Sequence, residues 1–405
     1  MRLSFKFVSL CLCLVFALGV SGCLSPLATH RAVLEYDRTV SYVEADLLLL
    51  NIARARYHRP VHFTAVSSVA ATFDFRTDAG IRGGIGHAVD PSEYPLGLEY
   101  GVSVAENPTI TIIPITGEEF TKRILHPLSE NTLRALMYQG YELNMLLRLM
   151  ARGLSVEDRD GQHLLINRPS EEEGFIEFRR RVLHLAGLEK SRQLYIEPVL
   201  FNDTQTMYVR PPDPREIVEA TEKGYRWETD TKSGVHTVWR PTIGRLLISN
   251  YDSRRLSNEE RRQLHLEALQ YPENQILVDI RPGFPGGDYP LHGTLLLRSI
   301  NAIVGFVGQN FEEDREFAVT PDPRTITPVR NPTHTLEVVE SASKPDEIEF
   351  AVYFEGKYYS IKRYPVEQRT ESNWNQEAFA VLSHLFQMTV TDLGKVPTPA
   401  ITIQK

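Results

Sequence analysis

Cysteine is scarce in this sequence. Only three of the 405 residues are cysteines, and Cys11 and Cys13 both lie in an apolar stretch at the start of the chain. If that stretch is removed during export and Cys23 is modified, no thiol remains for a disulfide, a zinc cluster or a nucleophile. The mature protein must then be held together by its hydrophobic core, and 42% hydrophobic residues are enough for two or three domains.

Positive charge is also in the minority. The chain has 44 Lys and Arg against 52 Asp and Glu, which gives a formal net charge of −8, and it contains no long basic run. Because nucleic-acid binding depends on basic residues that neutralise phosphates, this balance argues against nucleic acid as the main partner. After residue 20 no apolar stretch is long enough to span a membrane, so any membrane anchor must lie at the start of the chain.

The start of the chain has the pattern of a secretory signal peptide. Arg2 and Lys6 supply a short basic start, and residues 7–20 form an almost unbroken apolar run that is too short for a comfortable membrane span. The run ends in Val-Ser-Gly-Cys at residues 20–23, an aliphatic residue, a small residue, glycine and cysteine. This ending resembles the lipobox of bacterial lipoproteins, whose cysteine receives the lipid.

The lipobox resemblance implies a lipid-anchored protein. It implies a diacylglycerol thioether on Cys23, cleavage before this residue, and addition of a fatty acid such as palmitate to the new amino terminus. Several acyl chains hold a protein at a membrane far more firmly than one chain does. Leu24 stands where inner-membrane retention usually shows Asp, which favours the outer membrane with the body facing the periplasm. The alternative is an ordinary secreted protein in which Cys23 falls near the cleavage site by chance.

Three further blocks resemble a family of uncharacterised bacterial lipoproteins. They are Leu-Leu-Leu-Leu-Asn-Ile-Ala-Arg-Ala-Arg-Tyr at residues 47–57 followed by Pro60 and Phe63, Asn-Pro-Thr-Ile-Thr and Ile-Pro-Ile-Thr-Gly at residues 107–111 and 113–117, and Arg-Ser-Ile at residues 298–300. The likeness covers about half of the chain in patches. It implies the envelope location and a single ancestral unit, and it brings no catalytic residues.

Hydrophobic periodicity predicts an α+β protein, because helices and mainly antiparallel strands mix without regular alternation and without a repeat of fixed length. The predicted helices cover residues 33–57, 116–126, 130–152, 170–187, 213–224, 257–270, 292–307 and 373–388. The predicted strands cover residues 61–75, 98–104, 109–115, 194–200, 204–209, 225–229, 235–240, 243–249, 276–280, 335–340, 347–354, 357–362 and 400–403, with a hairpin over 154–166.

Local signals add detail to this prediction. Thr116 with Glu119 and Ser257 with Glu260 have the spacing of capping boxes, and a change of alternation near Ser67 predicts a β-bulge. Residues 78–97, rich in glycine, predict a loop and a candidate contact surface. The predicted organisation is a signal peptide (1–22), a lipidated tether (23–32), an N-terminal α+β domain (33–190), a β-rich middle region (191–290) and a C-terminal α+β region (291–405).

A basic cluster ends the first predicted helix. It consists of Arg54, Arg56, His58 and Arg59, and Pro60 prevents the helix from continuing. The tether before the helix reaches at most roughly 35 Å, so this cluster would lie near the bilayer and would be able to meet anionic headgroups. The alternative is that these cations only complement the dipole at the end of the helix.

The other clusters that resemble ligand sites do not have the required spacing. His58 and His62 are four residues apart, but a proline between them keeps them off one helical face. Asp158, Asp160 and Gly161 resemble part of a calcium loop that lacks its first ligand and its bidentate Glu. The glycines between residues 80 and 86 are not followed by the Lys-Ser/Thr pair of a phosphate loop. We therefore expect no metal site and no cofactor.

No reaction motif is present either. The sequence has no Gly-x-Ser-x-Gly elbow, and His126, His184 and His384 lie in helical patterns. A triad or a carboxylate pair assembled from distant residues stays open. The sequence therefore predicts a lipid-anchored envelope protein without catalytic residues, which binds or assembles other envelope proteins. The alternative is an envelope hydrolase that acts on peptidoglycan or lipid.

Overall fold

The computed structural model of the chain describes residues 30, 33–82, 97–158, 161–208, 210–309, 314–327, 329–345, 350–364 and 373–390. Cys23 and the strand predicted at 400–403 lie outside these residues. The chain divides into two compact units, one of residues 1–47, 62–115 and 391–405, and one of residues 48–61 and 116–390. A helix over residues 33–56 (α1) confirms the first predicted helix. Among the described residues, no helix has both the length and the apolar character needed to cross a membrane.

The first unit contains a long antiparallel ribbon. Its strands are Thr64–Arg82 (β1) and Gly97–Pro114 (β2), and their register shifts between Val66 and Ser68, which confirms the predicted bulge. The strands predicted at 98–104 and 109–115 are one strand, in which Pro108 lies opposite Ala71. In a two-stranded ribbon each strand has a free edge, so a proline without an N–H need not interrupt the pairing. The predicted loop starts later than expected because β1 continues to Arg82, and residues 83–96 lie outside the described residues.

A seven-stranded sheet organises the second unit. Its strands are Ala151–Asp158 (β3), Gly161–Ile166 (β4), Tyr195–Tyr208 (β5), Arg226–Thr229 (β6), His236–Ser249 (β7), Gln275–Ile280 (β8) and Leu291–Leu297 (β9). The order is β4-β3-β9-β8-β7-β5, and β6 pairs with β7. Every pair is antiparallel except β7 with β8. The predicted α+β class is confirmed, and this one sheet combines strands from all three regions predicted between residues 33 and 405.

The other helices of the described residues precede, separate or follow these strands along the chain. They are Gly117–Phe120 (α2) with a π-helical turn Thr121–Leu125, Glu130–Tyr138 (α3), Leu143–Met150 (α4), Glu172–Lys190 (α5), Pro214–Glu222 (α6), Asn258–Ala268 (α7), Ile300–Gln309 (α8) and Trp374–Val390 (α9). The capping box of Ser257 and Glu260 is confirmed, since the backbone N–H of each residue bonds to the side chain of the other. The one predicted for Thr116 is wrong, because Thr116 makes no side-chain cap and Glu119 pairs with Arg123 instead.

The helix predicted over residues 292–307 is wrong in its first half. Residues 291–297 form β9, and only the part from Ile300 onwards is helical. β9 lies between β3 and β8, and Leu291, Thr294, Leu295 and Leu297 are buried. The sequence of a central strand that is covered on both faces is a continuous apolar run. Hydrophobic periodicity alone cannot distinguish such a strand from a buried helix.

A small sheet follows near the end of the chain. It consists of Val338–Ser341 (β10), Ala351–Phe354 (β11) and Lys357–Ile361 (β12), all antiparallel, in the order β10-β12-β11. The predicted turn between β11 and β12 is confirmed at Glu355 and Gly356, both of which have a positive φ. β12 is therefore the central strand, and β10 is an edge strand.

A buried ionic network fixes the segment that leads into β10. Nη1 of Arg179 lies 2.7 Å from Oε1 of Glu316, and the side chains of both residues are completely buried. The backbone N–H of Thr335 donates to Glu316 at 2.6 Å, and Nη2 of Arg148 donates to the carbonyl of Pro332 at 2.8 Å. Helices α4 and α5 thus position residues 332–335 directly before the small sheet.

Candidate functional site

The predicted basic cluster lies at the end of α1. The backbone N–H of Arg59 donates a hydrogen bond to the carbonyl of Arg54 at 2.9 Å. The backbone N–H of His58 donates to the carbonyl of Ala55 at 3.1 Å. This is the Schellman pattern, which requires a left-handed residue at the position of His58, and His58 has a φ of 52°. The helix therefore ends at Arg56 through its own backbone bonds, four residues before Pro60.

The four cations of this cluster have different partners. Arg54 donates to the side chain of Asn51 at 3.1 Å, and His58 is exposed. Nε of Arg56 lies 2.7 Å from Glu340 on β10, and Nη2 of Arg59 lies 3.4 Å from Glu355 at the turn before β12. Two of the predicted residues thus form ion pairs with the small sheet. Contact of the cluster with a membrane stays a prediction.

A pocket of about 270 Å³ lies beside Arg56. It is lined by Arg56, Arg315, His334 and five consecutive residues, Leu336, Glu337, Val338, Val339 and Glu340. Side chains alternate between the two faces of a strand, so a pocket on one face would contact only alternate residues. The pocket contacts every residue from 336 to 340 and therefore runs along this segment, whose last three residues belong to β10.

Part of the backbone of β10 does not pair with β12. The N–H of Lys362 donates to the carbonyl of Glu337 at 2.9 Å, and Val339 and Ser341 pair with β12 in the same phase. In an antiparallel pair the intervening residues direct their N–H and C=O groups the other way. The groups of Val338 and Glu340 therefore point outward. In the part of the chain that the structure describes, β10 has no strand neighbour on that side.

Glu340 forms one rigid wall of the pocket. Besides Arg56, it accepts hydrogen bonds from Nζ of Lys357 at 2.8 Å and from the hydroxyl of Tyr359 at 3.0 Å. Burial raises the pKa of the Glu340 carboxyl, but these hydrogen bonds and the charge of Arg56 outweigh burial and leave the pKa below its ordinary value. Tyr359 also shares a 2.8 Å hydrogen bond with Tyr57. Glu340 is therefore charged at neutral pH, and its ion pair with Arg56 connects the end of α1 to the small sheet.

Glu337 is the second acidic residue that lines the pocket. It binds Nζ of Lys362 at 2.8 Å and the hydroxyl of Tyr364 at 2.6 Å. The side-chain amide of Asn375 on α9 accepts from the N–H of Glu337 at 3.0 Å and donates to the carbonyl of Lys362 at 3.1 Å. This amide therefore replaces a backbone pair at the end of the β10–β12 ladder and holds the strand in register.

Arg315 and His334 complete the lining. Arg315 is exposed, and within the described ranges no carboxylate lies at ion-pair distance from its guanidinium. Burial lowers the pKa of His334, so its ring is neutral at pH 7. Its Nδ1 is buried, and among the described residues it has no hydrogen-bond partner. Because Glu337 and Glu340 are already neutralised by Lys362, Lys357 and Arg56, Arg315 gives the pocket a surplus of positive charge.

A second cluster of charged groups surrounds His292 on β9. Its Nε2 lies 2.9 Å from Glu267, and its Nδ1 lies 3.3 Å from Asp279. Asp279 also accepts from the hydroxyl of Tyr251 at 2.5 Å and from Nε of Arg281 at 2.6 Å. Hydrogen bonds to Asp279 and Glu267 raise the pKa of His292 to about 10. Both ring nitrogens face carboxylates, so this imidazolium stabilises the sheet and offers no lone pair to a substrate proton or a metal.

The remaining residues that the sequence singled out do not form a site together. His184 on α5 bonds to the carbonyl of Gly286 at 2.9 Å, and His384 on α9 bonds to the hydroxyl of Tyr141 at 2.6 Å. Asp158 and Gly161 are the paired ends of a hairpin. Within the described residues no group of three His, Cys, Asp or Glu is placed to hold a metal ion. Asp160, Gly83, Gly84 and Gly86 lie outside those residues.

Sequence reasoning found Arg56 but missed the rest of the pocket. The signal for Glu337 and Glu340 was present, because the strand predicted at 335–340 carries two acidic residues among apolar ones. His334 directly precedes that predicted strand, but nothing in the sequence links Arg315 to it, since Arg315 comes there through the neighbouring Glu316, which binds Arg179 on α5 and Thr335. No protein-family model matches this chain, and neither a curated protein nor a solved structure shows significant similarity to it.

Proposed function

We propose that this protein is a lipid-anchored component of the bacterial cell envelope, held at the outer membrane with its body in the periplasm. Its role in this proposal is to bind or assemble other envelope proteins without catalysis. The anchor is supported by the signal-like start of the chain and by the lipobox resemblance at residues 20–23. The resemblance of residues 47–57 to a block of bacterial lipoproteins supports the same location.

In this proposal the binding role belongs to the outer edge of β10, which has no strand neighbour among the described residues. Exposed strand edges are ready to pair with another chain, so natural proteins usually cover, shorten or charge them. Here β10 borders a pocket of about 270 Å³, and ion pairs of Glu337, directly before the strand, and of Glu340, within it, hold this segment in place. A preformed groove with rigid walls is suited to binding, because little ordering is needed when a partner arrives.

The alternative of an envelope hydrolase receives less support. A hydrolase needs a nucleophile or water next to a base that still has a lone pair. Both nitrogens of His292 face carboxylates, so that ring has no lone pair to offer. His384 bonds to the hydroxyl of Tyr141. His184 donates through Nε2 to the carbonyl of Gly286, and its Nδ1 keeps a lone pair but is buried, away from solvent and substrate. These three rings act as structural links in their networks.

The anchor is tested by radiolabelled palmitate. We expect the native chain to take up label and to fractionate with outer membranes, and Cys23→Ala to lose the label and accumulate as precursor or as soluble protein. Cys13→Ala is the matched control, because this cysteine lies inside the signal peptide, and it should label normally. Label on the Cys23→Ala protein would contradict the proposed anchor.

The binding role is tested by crosslinking in cells. A photoreactive phenylalanine at Val339, which lines the pocket, should yield discrete adducts with envelope proteins. The same group at Tyr138, which is 79% exposed on α3, is the control and should yield none of these adducts. Identical adducts from both positions, or none from Val339, would contradict a role for the β10 edge.

A further inference from the structure

We infer that the outer edge of β10 binds an extended peptide segment as an added strand, with a carboxylate of that peptide held by Arg315. This inference deepens the proposed binding function and depends on it. It names the chemical class of the partner at the pocket, a polypeptide strand with an acidic group.

Backbone geometry supplies the first argument. Val338 and Glu340 each direct one N–H and one C=O outward, and residues two apart in a strand are separated by roughly 7 Å. A second extended chain has the same spacing, so two alternate residues of a peptide can satisfy all four groups. Strand addition of this kind provides affinity through the main chain and specificity through pockets for alternate side chains.

The size of the pocket supplies the second argument. A volume of about 270 Å³ lies just below the range of roughly 300–1,000 Å³ that holds drug-sized molecules and cofactors. The lining extends over five consecutive residues, Leu336 to Glu340, which span roughly 13 Å of extended chain. A space that follows the backbone over this length can hold a peptide backbone with one or two inserted side chains.

Charge supplies the third argument. Glu340 already satisfies Arg56, and Glu337 satisfies Lys362, so neither carboxylate is left to neutralise Arg315. A guanidinium at the mouth of a pocket binds carboxylates with matching geometry. The carboxylate would belong either to an acidic side chain or to the C-terminus of the peptide, and the two sources are separated by the probes below.

A second copy of this chain is a less suitable occupant. β10 has only four residues, Val338–Ser341, and charged side chains stand on both sides of its edge. Short edges with charged residues disfavour pairing of two identical edges, because like charges would then face each other. A separate peptide with an acidic group has the complementary charge.

The test uses the detergent-solubilised mature protein and an array of random heptapeptides, each made with a free C-terminus and with a C-terminal amide. We expect a subset to bind. Dependence on the free C-terminus assigns the carboxylate to the peptide end, and binding of amidated peptides that contain Asp or Glu assigns it to a side chain. If no peptide binds, or if binding needs no carboxylate at all, the inference is overturned.

N-methylation of the selected peptides tests strand addition without altering the protein. Methyl groups on alternate residues, in the phase that faces β10, should weaken binding roughly tenfold or more, and methyl groups in the opposite phase should change it less than about threefold. Equal effects in both phases would exclude pairing with the strand edge.

Protein variants complete the test. Arg315→Ala should weaken peptide binding roughly tenfold to a hundredfold, the usual range for a lost charge-assisted hydrogen bond. Arg315→Lys keeps the positive charge and should therefore bind the peptides more tightly than Arg315→Ala. Arg59→Ala is the matched control, because Arg59 pairs with the same small sheet but does not line the pocket. Equal loss with both variants would overturn the role of Arg315. If the native chain takes up no palmitate but still binds the peptides, only the anchor is refuted. If it takes up palmitate but binds no peptide, only the inference about β10 is refuted.

Discussion

The buried network of Glu316 and the pocket wall of Glu340 use the same chemistry with different outcomes. Each carboxylate binds an arginine at 2.7 Å and a hydroxyl, from Thr335 in one case and Tyr359 in the other. The side chains of Arg179 and Glu316 are completely buried, whereas those of Arg56 and Glu340 are 14% and 18% exposed. The first network can therefore only hold the fold, and the second also presents a rigid surface to a partner.

The largest effect is expected where burial is complete. Glu316→Gln keeps the shape of the side chain but leaves Arg148 and Arg179 without a buried negative charge, which should lower the free energy of unfolding by about 3–5 kcal/mol. Urea denaturation measures this change. Glu355→Gln removes the exposed pair with Arg59 and is the control, with an expected loss below about 1 kcal/mol. Equal losses for the two variants would show that burial does not separate the two kinds of ion pair.

A smaller effect is expected at His292, which extends the comparison to a half-exposed ion pair. Its pKa is raised to about 10 in the folded protein, and the unfolded value is about 6.5. The proton that His292 binds in the folded state therefore stabilises the protein fully below about pH 6.5, and this contribution is lost as the pH rises through about 10. Because the imidazole is 41% exposed, the contribution should be only about 1–2 kcal/mol after solvent screening.

This expectation is measured with His292→Gln. The difference in unfolding free energy between the native chain and the variant should be largest near pH 6 and should disappear near pH 10. His184 supplies the opposite case, since burial lowers its pKa, so its neutral form is favoured and its contribution should fall as the medium becomes acidic. If the difference in unfolding free energy between the native chain and His292→Gln grew with pH, the folded protein would not be stabilised by a proton on His292.

The same comparison explains which parts of the structure the sequence could predict. Three features depend only on residues that are close in the sequence, and local patterns were enough to predict them. They are the capping box of Ser257, the bulge near Ser67 and the end of α1. β9 was missed because it has buried residues on both of its faces, including Thr294 and Leu295, which removes the alternation that marks a strand. The pocket was missed because Arg56, Arg315 and Glu340 are far apart in the sequence, and only the packed fold brings them together.

The smallest expected effect concerns the backbone at the end of α1. His58 has a φ of 52°, a conformation that costs a non-glycine residue about 1 kcal/mol or more, and its side chain is exposed. His58→Gly should therefore raise the free energy of unfolding by about 0.5–1 kcal/mol, and His58→Val should lower it, because a β-branched residue fits this conformation least well. Thermal unfolding measures both changes. If glycine stabilises the protein and leaves peptide binding at β10 unchanged, His58 only ends the helix. If glycine stabilises the protein but weakens peptide binding, the strained turn also holds Arg56 in place beside the pocket.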